Sequence, residues 1–260
     1  MKPKVLILRT AGTNCDKETA HAYELAGAAA TVEHIHHLKK HKQLNKFNIL
    51  CLPGGFSYGD DLGAGKIFSL EFLLWLKSEL ENFIDNGGLI LGICNGFQVL
   101  VKTGILPDLN FNQTVTLTDN DSHRFEDRWV YLKTPEKDQN IPANKIWLKN
   151  LDSVIMLPVA HAEGKFFAEG SVIDKLEKNK QVALRYVNDQ GVCAGYPFNP
   201  NGSINDIAGI TDISGRVFGL MPHPERFIDR HHFPFWQNRS VTAWGFIIIE
   251  NSVKFFEKGG

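Results

Sequence analysis

The stretch Leu89-Ile90-Leu91-Gly92-Ile93-Cys94-Asn95-Gly96 joins a short apolar run to a cysteine that lies between two glycines. Such a run is typical of a strand buried on both faces. Residues Asn95–Lys102 continue with the spacing of a helix, so the cysteine is predicted at a sharp strand-to-helix turn. A nucleophile flanked in this way is lifted to the edge of the sheet, where the free N–H groups of the helix favour the thiolate.

Similar apolar runs alternate with helical patterns through the N-terminal half of the chain. The predicted strands are Lys4–Arg9, Ala30–Ile35, Asn48–Leu52 and Leu89–Ile93, and the helices between them are Asp16–Leu25 and Leu70–Ile84. Strands that alternate with helices form parallel βαβ units. We therefore expect an α/β fold, with a mostly parallel sheet and helices on both faces, in one domain of residues 1–260.

The second half of the chain has a different pattern. From Thr114 to about Val159 the apolar runs are short and partly polar, which predicts an antiparallel extension at one edge of the sheet. Later segments are predicted as a helix (Val172–Asn179), an extended segment (Gln181–Val187), a strand (Val217–Met221), a long loop (Pro222–Ser240) and a closing helix (Val241–Lys258).

The bulk composition excludes several classes of function. The 260 residues are 43% hydrophobic and carry a net charge of -1, so no basic excess points to a nucleic-acid partner. No apolar run is long enough for a signal peptide or a membrane span, which predicts a cytoplasmic protein without a membrane partner. The four cysteines form no Cys-x-x-Cys pair, so we expect free thiols.

A base for Cys94 follows the last predicted strand. His223 lies between two prolines in Pro222-His223-Pro224-Glu225-Arg226, and Glu225 is close enough in sequence to reach one ring nitrogen. Nucleophile, base and orienting carboxylate are the three roles of a hydrolytic triad. Together with the cysteine turn, this segment predicts Cys94 as the nucleophile, His223 as the acid and base, and Glu225 as the residue that orients it.

A glycine pair after another strand completes the predicted chemistry. Pro53-Gly54-Gly55 follows Asn48–Leu52, and a glycine there can turn its N–H toward a substrate oxygen. We expect the N–H groups of Gly55 and Asn95 to form an oxyanion hole. A plain turn at Pro-Gly-Gly is the alternative reading of this segment.

These motifs, in this order, resemble class I glutamine amidotransferases of the triad type, whose fold is flavodoxin-like. Further segments resemble the glutaminase subunits of phosphoribosylformylglycinamidine synthase. They include Gly12-Thr13-Asn14-Cys15-Asp16, Gly54-Gly55-Phe56-Ser57-Tyr58-Gly59-Asp60-Asp61, Asn120-Asp121-Ser122-His123-Arg124-Phe125-Glu126, His161-Ala162-Glu163-Gly164 and Asn199-Pro200-Asn201-Gly202-Ser203. The resemblance extends over nearly the whole chain, with added length expected near Lys133–Asn150.

The resemblance implies an enzyme that hydrolyses glutamine and passes ammonia to a large synthetase subunit, sometimes with a small third protein. That partner would convert formylglycinamide ribonucleotide and ATP to formylglycinamidine ribonucleotide, in de novo purine synthesis. Gln98, His161 and Glu163 resemble positions that hold the α-amino and α-carboxylate groups of glutamine. No cofactor or metal is expected in this chain, and ATP and Mg²⁺ are expected on the partner.

Several other features of the sequence indicate a function less strongly. Gly59–Ile67 resembles a P-loop, but its glycine spacing is one residue too long and Ile67 replaces the magnesium-binding hydroxyl, so a glycine-rich loop near the active site is favoured. Cys15 is a rival nucleophile without a base nearby in sequence. We expect Cys51 and Cys193 to lie in the core. We expect the histidines at a solvated strand end, namely His34, His36, His37 and His41. The exposed aromatics could contact a partner or pack within the loop, and these are Phe233, Phe235 and Trp236.

Three alternatives remain open on the sequence. The chain could serve another amidotransferase, such as one for guanylate or carbamoyl phosphate synthesis, and Arg124-Phe125-Glu126 and Asn199–Ser203 argue against this. It could be a stand-alone cysteine hydrolase or a chaperone-like protein, against which the His-x-Glu pair argues. It could also be a regulatory subunit without catalysis, and the intact triad argues against that.

Overall fold

The computed structural model describes residues 2–237 and 241–257. Within these residues the strands are β1 (Lys4–Arg9), β2 (Ala29–His34), β3 (Ile49–Leu52), β4 (Leu89–Ile93), β5 (Val115–Thr118), β6 (Glu126–Lys133), β7 (Val154–His161), β8 (Lys165–Ala168), β9 (Val182–Val187), β10 (Ile207–Thr211) and β11 (Val217–Leu220). The helices are α1 (Asp16–Leu25), α2 (Ile35–His41), α3 (Lys66–Asp85), α4 (Asn95–Lys102), α5 (Pro142–Lys145), α6 (Gly170–Lys178) and α7 (Trp244–Glu257).

Nine of these strands form one mixed sheet in the order β2-β1-β3-β4-β11-β10-β9-β6-β7. The first five are parallel and have the strand order of a flavodoxin-like sheet. The other four are antiparallel to their neighbours. The predicted α/β class, with a parallel sheet and an antiparallel extension at one edge, is therefore confirmed.

The parallel half is buried because its strands are apolar throughout. Every residue of β3, β4 and β11 is buried, as a strand covered by helices on both faces requires. Helices α1 and α7 pack together on one face, while α3 packs on α4 on the other. These layers place the carboxyl ends of β3, β4 and β11 side by side at one edge of the sheet.

The antiparallel half differs in detail from the prediction. Strands β6 and β7 extend the sheet edge as expected, but β5 leaves the main sheet and pairs with β8 in a separate two-stranded ribbon. Strand β10 is not predicted from the sequence. Its residues pair with both β9 and β11, so it joins the two halves of the sheet.

The segment Lys133–Asn150 forms a loop and the short helix α5, which contacts β9 and β10. Trp147 is fully buried there and its indole N–H donates to the Gly215 carbonyl at 2.9 Å. The side-chain amide of Asn251 on α7 donates to the carbonyls of Trp147 and Lys149. This segment therefore ties the closing helix to the sheet.

The C-terminal predictions hold where they can be compared. Up to residue 237, the long loop after β11 contains only short 3₁₀ turns, and the closing helix begins at Trp244 rather than Val241. Residues 238–240 and 258 of these predicted elements lie outside the described residues. None of the helices in the described ranges combines the length and the apolar character needed to cross a membrane.

Candidate active site

Cys94 is the residue between β4 and α4, and its backbone is strained. Its φ and ψ angles are 50° and -105°, a conformation that non-glycine residues rarely adopt. The strand fixes the entry to this turn, since the Cys94 amide donates to the Leu220 carbonyl of β11 at 2.8 Å. Strain of this kind is found where a turn must present a side chain for chemistry.

The glycines on both sides of Cys94 are required by close packing. A Cβ atom on Gly96 would lie 1.9 Å from the Leu52 carbonyl oxygen, so α4 could not approach β3 with any other residue. A Cβ atom on Gly92 would lie 2.6 Å from Leu100 and 2.8 Å from the Gly96 oxygen. The predicted reason for both glycines, a turn without room for side chains, is confirmed.

His223 follows β11 and is bonded to Glu225. The His223 Nδ1 and Glu225 Oε1 atoms are 2.6 Å apart, and both residues are buried. The His223 amide donates to the Pro158 carbonyl of β7 at 2.8 Å, which fixes the backbone of His223 against that strand. The other ring nitrogen, Nε2, is buried and has no hydrogen-bond partner in the described part of the chain.

Opposing effects set the protonation of His223. Burial lowers its pKa, but the charge of Glu225, and then that of Cys94, outweigh the burial, so the pKa lies well above its ordinary value. Cys94 thus lies close enough to the ring to raise the pKa of His223. The Cys94 thiol also lies 3.6 Å from the Ala160 carbonyl oxygen. The structure brings Cys94, His223 and Glu225 together, as the sequence predicts for a triad.

Cys15 lies in the same cluster, which the sequence did not indicate. Its Sγ and the nearest ligand atoms of His223 and Glu225 all lie within 4.8 Å of one another. Burial raises the pKa of the Cys15 thiol to about 11, against the smaller lowering effect of His223. The Arg226 guanidinium donates to Cys15 Sγ at 3.1 Å and to Glu18 at 3.0 Å. Cys15 is thus a neutral thiol packed behind the triad.

The predicted oxyanion hole has two unbonded amides near the nucleophile. Gly55 lines the same cavity as Cys94, and its φ angle is 144°. A Cβ atom on Gly55 would lie only 2.8 Å from the Asn14 nitrogen, so a larger residue does not fit there. The Gly55 N–H makes no backbone hydrogen bond among the described residues. Asn95 is the first residue of α4, so its N–H has no partner within the helix. The role of these amides stays a prediction.

The cavity above Cys94 is narrow, with a volume of about 30 Å³. The three residues predicted to bind glutamine all line it, together with Gly55, Phe56, Asp60, Ala64, Ala160 and Ala162. Both polar atoms of the Gln98 side chain bond to protein groups, since its Nε2 donates to the Glu163 carbonyl at 2.5 Å and its Oε1 accepts from Asn95 at 2.9 Å. Gln98 therefore shapes the wall, and a direct contact with substrate stays a prediction.

The other two residues predicted to bind glutamine, His161 and Glu163, present hydrogen-bond acceptors. Burial, and then the charge of His223, lower the pKa of His161 to about 3, so its ring is neutral. Its Nδ1 lies 3.1 Å from Asn120 Oδ1, which also accepts from the Gly164 amide, so Nδ1 carries the hydrogen. That leaves an acceptor at the buried His161 Nε2 that has no partner among the residues the structure describes. The Glu163 carboxylate accepts from the Ala64 amide at 3.1 and 3.2 Å.

The sequence reading missed two further residues of the site. Asn120 holds His161, since its amide also donates to the His161 carbonyl at 2.9 Å. Asp60 lies on the loop that resembles a P-loop, which the structure places beside the cavity, as favoured from the sequence. The motifs that contain both residues were recognised, but only tertiary contacts reveal which side chains face the site.

The remaining cysteines and aromatics divide between core and surface. Cys51 is buried as predicted, but the core prediction for Cys193 is wrong. Cys193 lies in the irregular turn after β9 and is exposed, because the strand ends at Val187. Phe233 is also buried, against the prediction of an exposed side chain, and packs on Trp129 with ring centroids 5.1 Å apart.

The other loop aromatics and the histidine-rich stretch lie toward the surface. Phe235 is exposed and Trp236 is partly buried against His231, with ring centroids 4.7 Å apart. The histidines around α2 meet edge to face in pairs, with centroids 4.9 Å apart for His34 and His36 and 4.4 Å apart for His37 and His41.

Known proteins match this chain over nearly its full length. A family model described as the CobB/CobQ-like glutamine amidotransferase domain matches residues 2–259. The phosphoribosylformylglycinamidine synthase subunit PurQ of Dehalococcoides mccartyi is 46% identical, with 98% of each chain covered. The PurQ subunit of Archaeoglobus fulgidus is 41% identical, with 98% of this chain and 97% of that protein covered.

A solved structure gives the same result. A chain in the structure of PurLQS from Thermotoga maritima superposes with a TM-score of 0.74 and 30% identity, covering 98% of this chain and all of that one. The match therefore extends over nearly the whole of both chains. The chain therefore belongs to the CobB/CobQ-like glutamine amidotransferase family, in the group of the phosphoribosylformylglycinamidine synthase PurQ subunits.

Proposed function

We propose that this chain is the glutaminase subunit of a phosphoribosylformylglycinamidine synthase. One observation carries the proposal: Cys94 lies in a strained, glycine-bounded turn beside the buried His223–Glu225 pair, in a chain that matches PurQ subunits over 98% of its length. The enzyme would hydrolyse glutamine to glutamate and deliver the ammonia to a synthetase subunit. There it would be used to convert formylglycinamide ribonucleotide to formylglycinamidine ribonucleotide with ATP.

The first half of the reaction follows from the triad. The Cys94 thiolate attacks the side-chain amide carbon of glutamine, and an S–C bond forms as the carbonyl oxygen becomes an oxyanion. The amides of Gly55 and Asn95 donate hydrogen bonds to that oxygen. His223, held by Glu225, gives its Nε2 proton to the nitrogen, and the C–N bond breaks to release ammonia.

The second half returns the enzyme to its starting state. His223 Nε2 is now unprotonated and accepts a proton from water, whose oxygen attacks the glutamyl thioester. The C–S bond breaks, glutamate leaves, and Cys94 is again a thiolate beside a protonated ring. Glu225 keeps its hydrogen bond to Nδ1 throughout, so it maintains the tautomer and stabilises the imidazolium.

The second reaction is assigned to the partner. The glycine-rich loop lacks the spacing and the hydroxyl of a P-loop, so ATP and Mg²⁺ are proposed to bind the synthetase subunit. The structure of PurLQS from Thermotoga maritima contains a similar chain. The free thiols, including the reactive Cys94, fit a reducing compartment, and we propose a cytoplasmic location.

The test is the substitution Cys94→Ala in the complex with its synthetase. Glutamine-dependent product formation is expected to fall by at least roughly 10³-fold, because no other group supplies the nucleophile. Ammonium-dependent formation is expected to continue, because it bypasses the glutaminase. Cys193→Ala, at the exposed cysteine, is the matched control and should keep both activities. Glutamine-dependent activity in Cys94→Ala close to that of the control would overturn the proposal.

A further inference from the structure

The side chain of Asn95 bonds through both of its polar atoms, although the residue is only 3% exposed. Its Oδ1 accepts from the Ser57 amide at 3.3 Å. Its Nδ2 donates to Gln98 Oε1 at 2.9 Å and to Asp60 Oδ1 at 3.2 Å. Because Asn95 is the first residue of α4, this one amide group joins the helix to the loop that follows β3.

The neighbouring groups fix the orientation of the Asn95 amide. The Glu163 carbonyl can only accept, so the Gln98 Nε2 that lies 2.5 Å from it is the donor, and Gln98 Oε1 faces Asn95. The Ser57 amide can only donate, so Asn95 Oδ1 faces Ser57. The chain of hydrogen bonds from Glu163 to Ser57 therefore needs both a donor and an acceptor on the side chain at position 95. Aspartate lacks the donor and leucine lacks both.

The loop after β3 is held from its other side by the segment that follows β1. The amides of Phe56 and Tyr58 donate to backbone carbonyls of that segment, at 3.0 and 2.8 Å. The Ser57 amide lies between them in sequence and donates to Asn95 instead. Ser57 is 1% exposed, so its N–H would be a buried donor without a partner if the Asn95 oxygen were removed. Such a donor is costly, and the loop would move to satisfy it.

This loop carries one of the two predicted oxyanion-hole amides. Gly55 precedes Ser57 by two residues, and the other predicted amide is that of Asn95 itself. The two amides belong to different elements, so their separation depends on the groups that join the loop to α4. Donors of this kind stabilise an oxyanion when they are already placed where the charge develops.

The side chain of Asn95 acts on the site through its partners. Asp60 and Gln98 line the Cys94 cavity, whereas Asn95 and Ser57 are not among the lining residues in the part of the chain that the structure describes. Any effect of the side chain on the reaction therefore passes through the groups that it holds in place, which is the role of a positioning residue.

We propose that the Asn95 side chain locks the Gly55 loop to α4 and so holds the two amides of the oxyanion hole at a fixed separation. This inference rests on the proposed glutaminase function. Asn95 would then serve the hole twice, because its N–H is one donor and its side chain sets the position of the other. A substitution of the side chain keeps both N–H groups but lets one move relative to the other.

The test compares Asn95→Ala with the wild type in the complex with the synthetase. The kcat with glutamine is expected to fall roughly 10- to 100-fold, because a displacement of about 1 Å at such a group costs that much. Alkylation of Cys94 by iodoacetamide, followed by peptide mass spectrometry, should keep its rate within about threefold. The sulfur displaces iodide from carbon in that reaction, so no oxyanion forms, whereas a distorted nucleophile turn would slow both reactions.

Asn144→Ala is the matched control. Asn144 is also a buried asparagine, and its Nδ2 donates to the carbonyls of Glu136 and Asp138 at 2.6 and 3.0 Å. It lies on α5 and is absent from the described lining of the Cys94 cavity. Urea denaturation should show that both alanine variants are less stable than the wild type, but Asn144→Ala should keep kcat.

A second substitution at position 95 separates the two halves of the amide. Asn95→Asp keeps an acceptor for the Ser57 amide and loses the donor to Gln98. Any effect of its charge on the Cys94 thiolate changes the alkylation rate as well, so the measured quantity is the ratio of kcat to the alkylation rate. That ratio should lie between the values for the wild type and Asn95→Ala.

The two proposals fail in different ways. If the wild type does not hydrolyse glutamine, the glutaminase function is wrong. If the wild type does so, the positioning role alone is overturned by any of three results. These are a kcat of Asn95→Ala within threefold of the wild type or reduced in the same proportion as its alkylation rate, an equal loss of kcat in Asn144→Ala, and a ratio for Asn95→Asp at or below that of Asn95→Ala. Ammonium-dependent activity of the complex shows in each case that the subunits are assembled.

Discussion

Two thiols act on one imidazole ring in this molecule. Cys94 and Cys15 both interact with His223, yet they differ in what surrounds them. Cys94 lies at the start of α4 and faces the cavity, while Cys15 is packed against Arg226 and Gly54. The position relative to the cavity, not the distance to the base, decides which thiol can reach a substrate.

Cys15→Ala is therefore expected to keep most of the activity. Burial raises the pKa of Cys15 to about 11, so only about one thiol in a thousand is ionised at pH 8. Its loss removes a neutral neighbour of the ring, and we expect kcat to fall by less than roughly tenfold. Steady-state glutaminase kinetics of the complex measure this. A loss as large as that of Cys94→Ala would show that Cys15 takes part in the chemistry.

At the residue scale, the sequence predicted the catalytic residues that lie within short contiguous motifs. Cys94 and its glycines are contiguous, and His223 and Glu225 are two positions apart, so the chemistry of each motif can be read directly. Cys15 could not be placed in this way, because it meets His223 from the far end of the chain. Asp60 lay inside a recognised segment, but its orientation depends on positive φ angles that the sequence does not reveal.

The contact of α4 with β3 is the element on which the nucleophile depends. A side chain at Gly96 would meet the Leu52 carbonyl, a backbone atom that cannot move without shifting the strand. Helix α4 would then move away from the sheet and carry Cys94 with it. The geometry of the turn is thus set by the packing of a helix on a strand.

Gly96→Ala is expected to damage both stability and activity. Overpacking of this kind costs roughly 1–3 kcal/mol of unfolding free energy, and a displacement of about 1 Å at the nucleophile lowers activity roughly 10²-fold. Urea denaturation and glutaminase assays measure the two effects. Gly170→Ala is the control, because a Cβ at the start of α6 meets nothing within 4 Å. Equal behaviour of the two variants would contradict the packing argument.

At the element scale, prediction succeeded for four elements of the N-terminal half of the chain. The bounds of β1, β4, α1 and α4 agree with the sequence reading, because turns and glycines mark their ends. The antiparallel half was harder, since half-buried strands mix polar and apolar residues. Its short strands choose partners by tertiary contacts, and so β5 pairs with β8 rather than with the main sheet.

The whole molecule is closed by a strand from near its C-terminus. Strand β11 lies between β4 and β10, so it joins the parallel half to the antiparallel half. All of its residues are buried. Without it, two apolar strands would each have an open edge, and such edges pair with other chains.

A chain that ends at Arg216 is accordingly expected to aggregate. It keeps Cys94 but lacks β11, His223 and α7, and it exposes the edges of β4 and β10. Size-exclusion chromatography and light scattering would detect the aggregates. Full-length Cys94→Ala is the control, because it should be inactive yet monodisperse. A truncated chain that stays monodisperse and unfolds cooperatively would show that the two halves fold without their joining strand.

The late position of β11 also matters while the chain is being made. Cys94 leaves the ribosome about 130 residues before His223, which at ordinary rates of synthesis is roughly 6 to 26 seconds. During that interval the growing chain has a nucleophile but no base, and β4 lacks its neighbour β11, whose Leu220 carbonyl accepts a hydrogen bond from the Cys94 amide. A nascent chain therefore consumes no glutamine, and ammonia is released only by molecules whose synthesis is nearly complete.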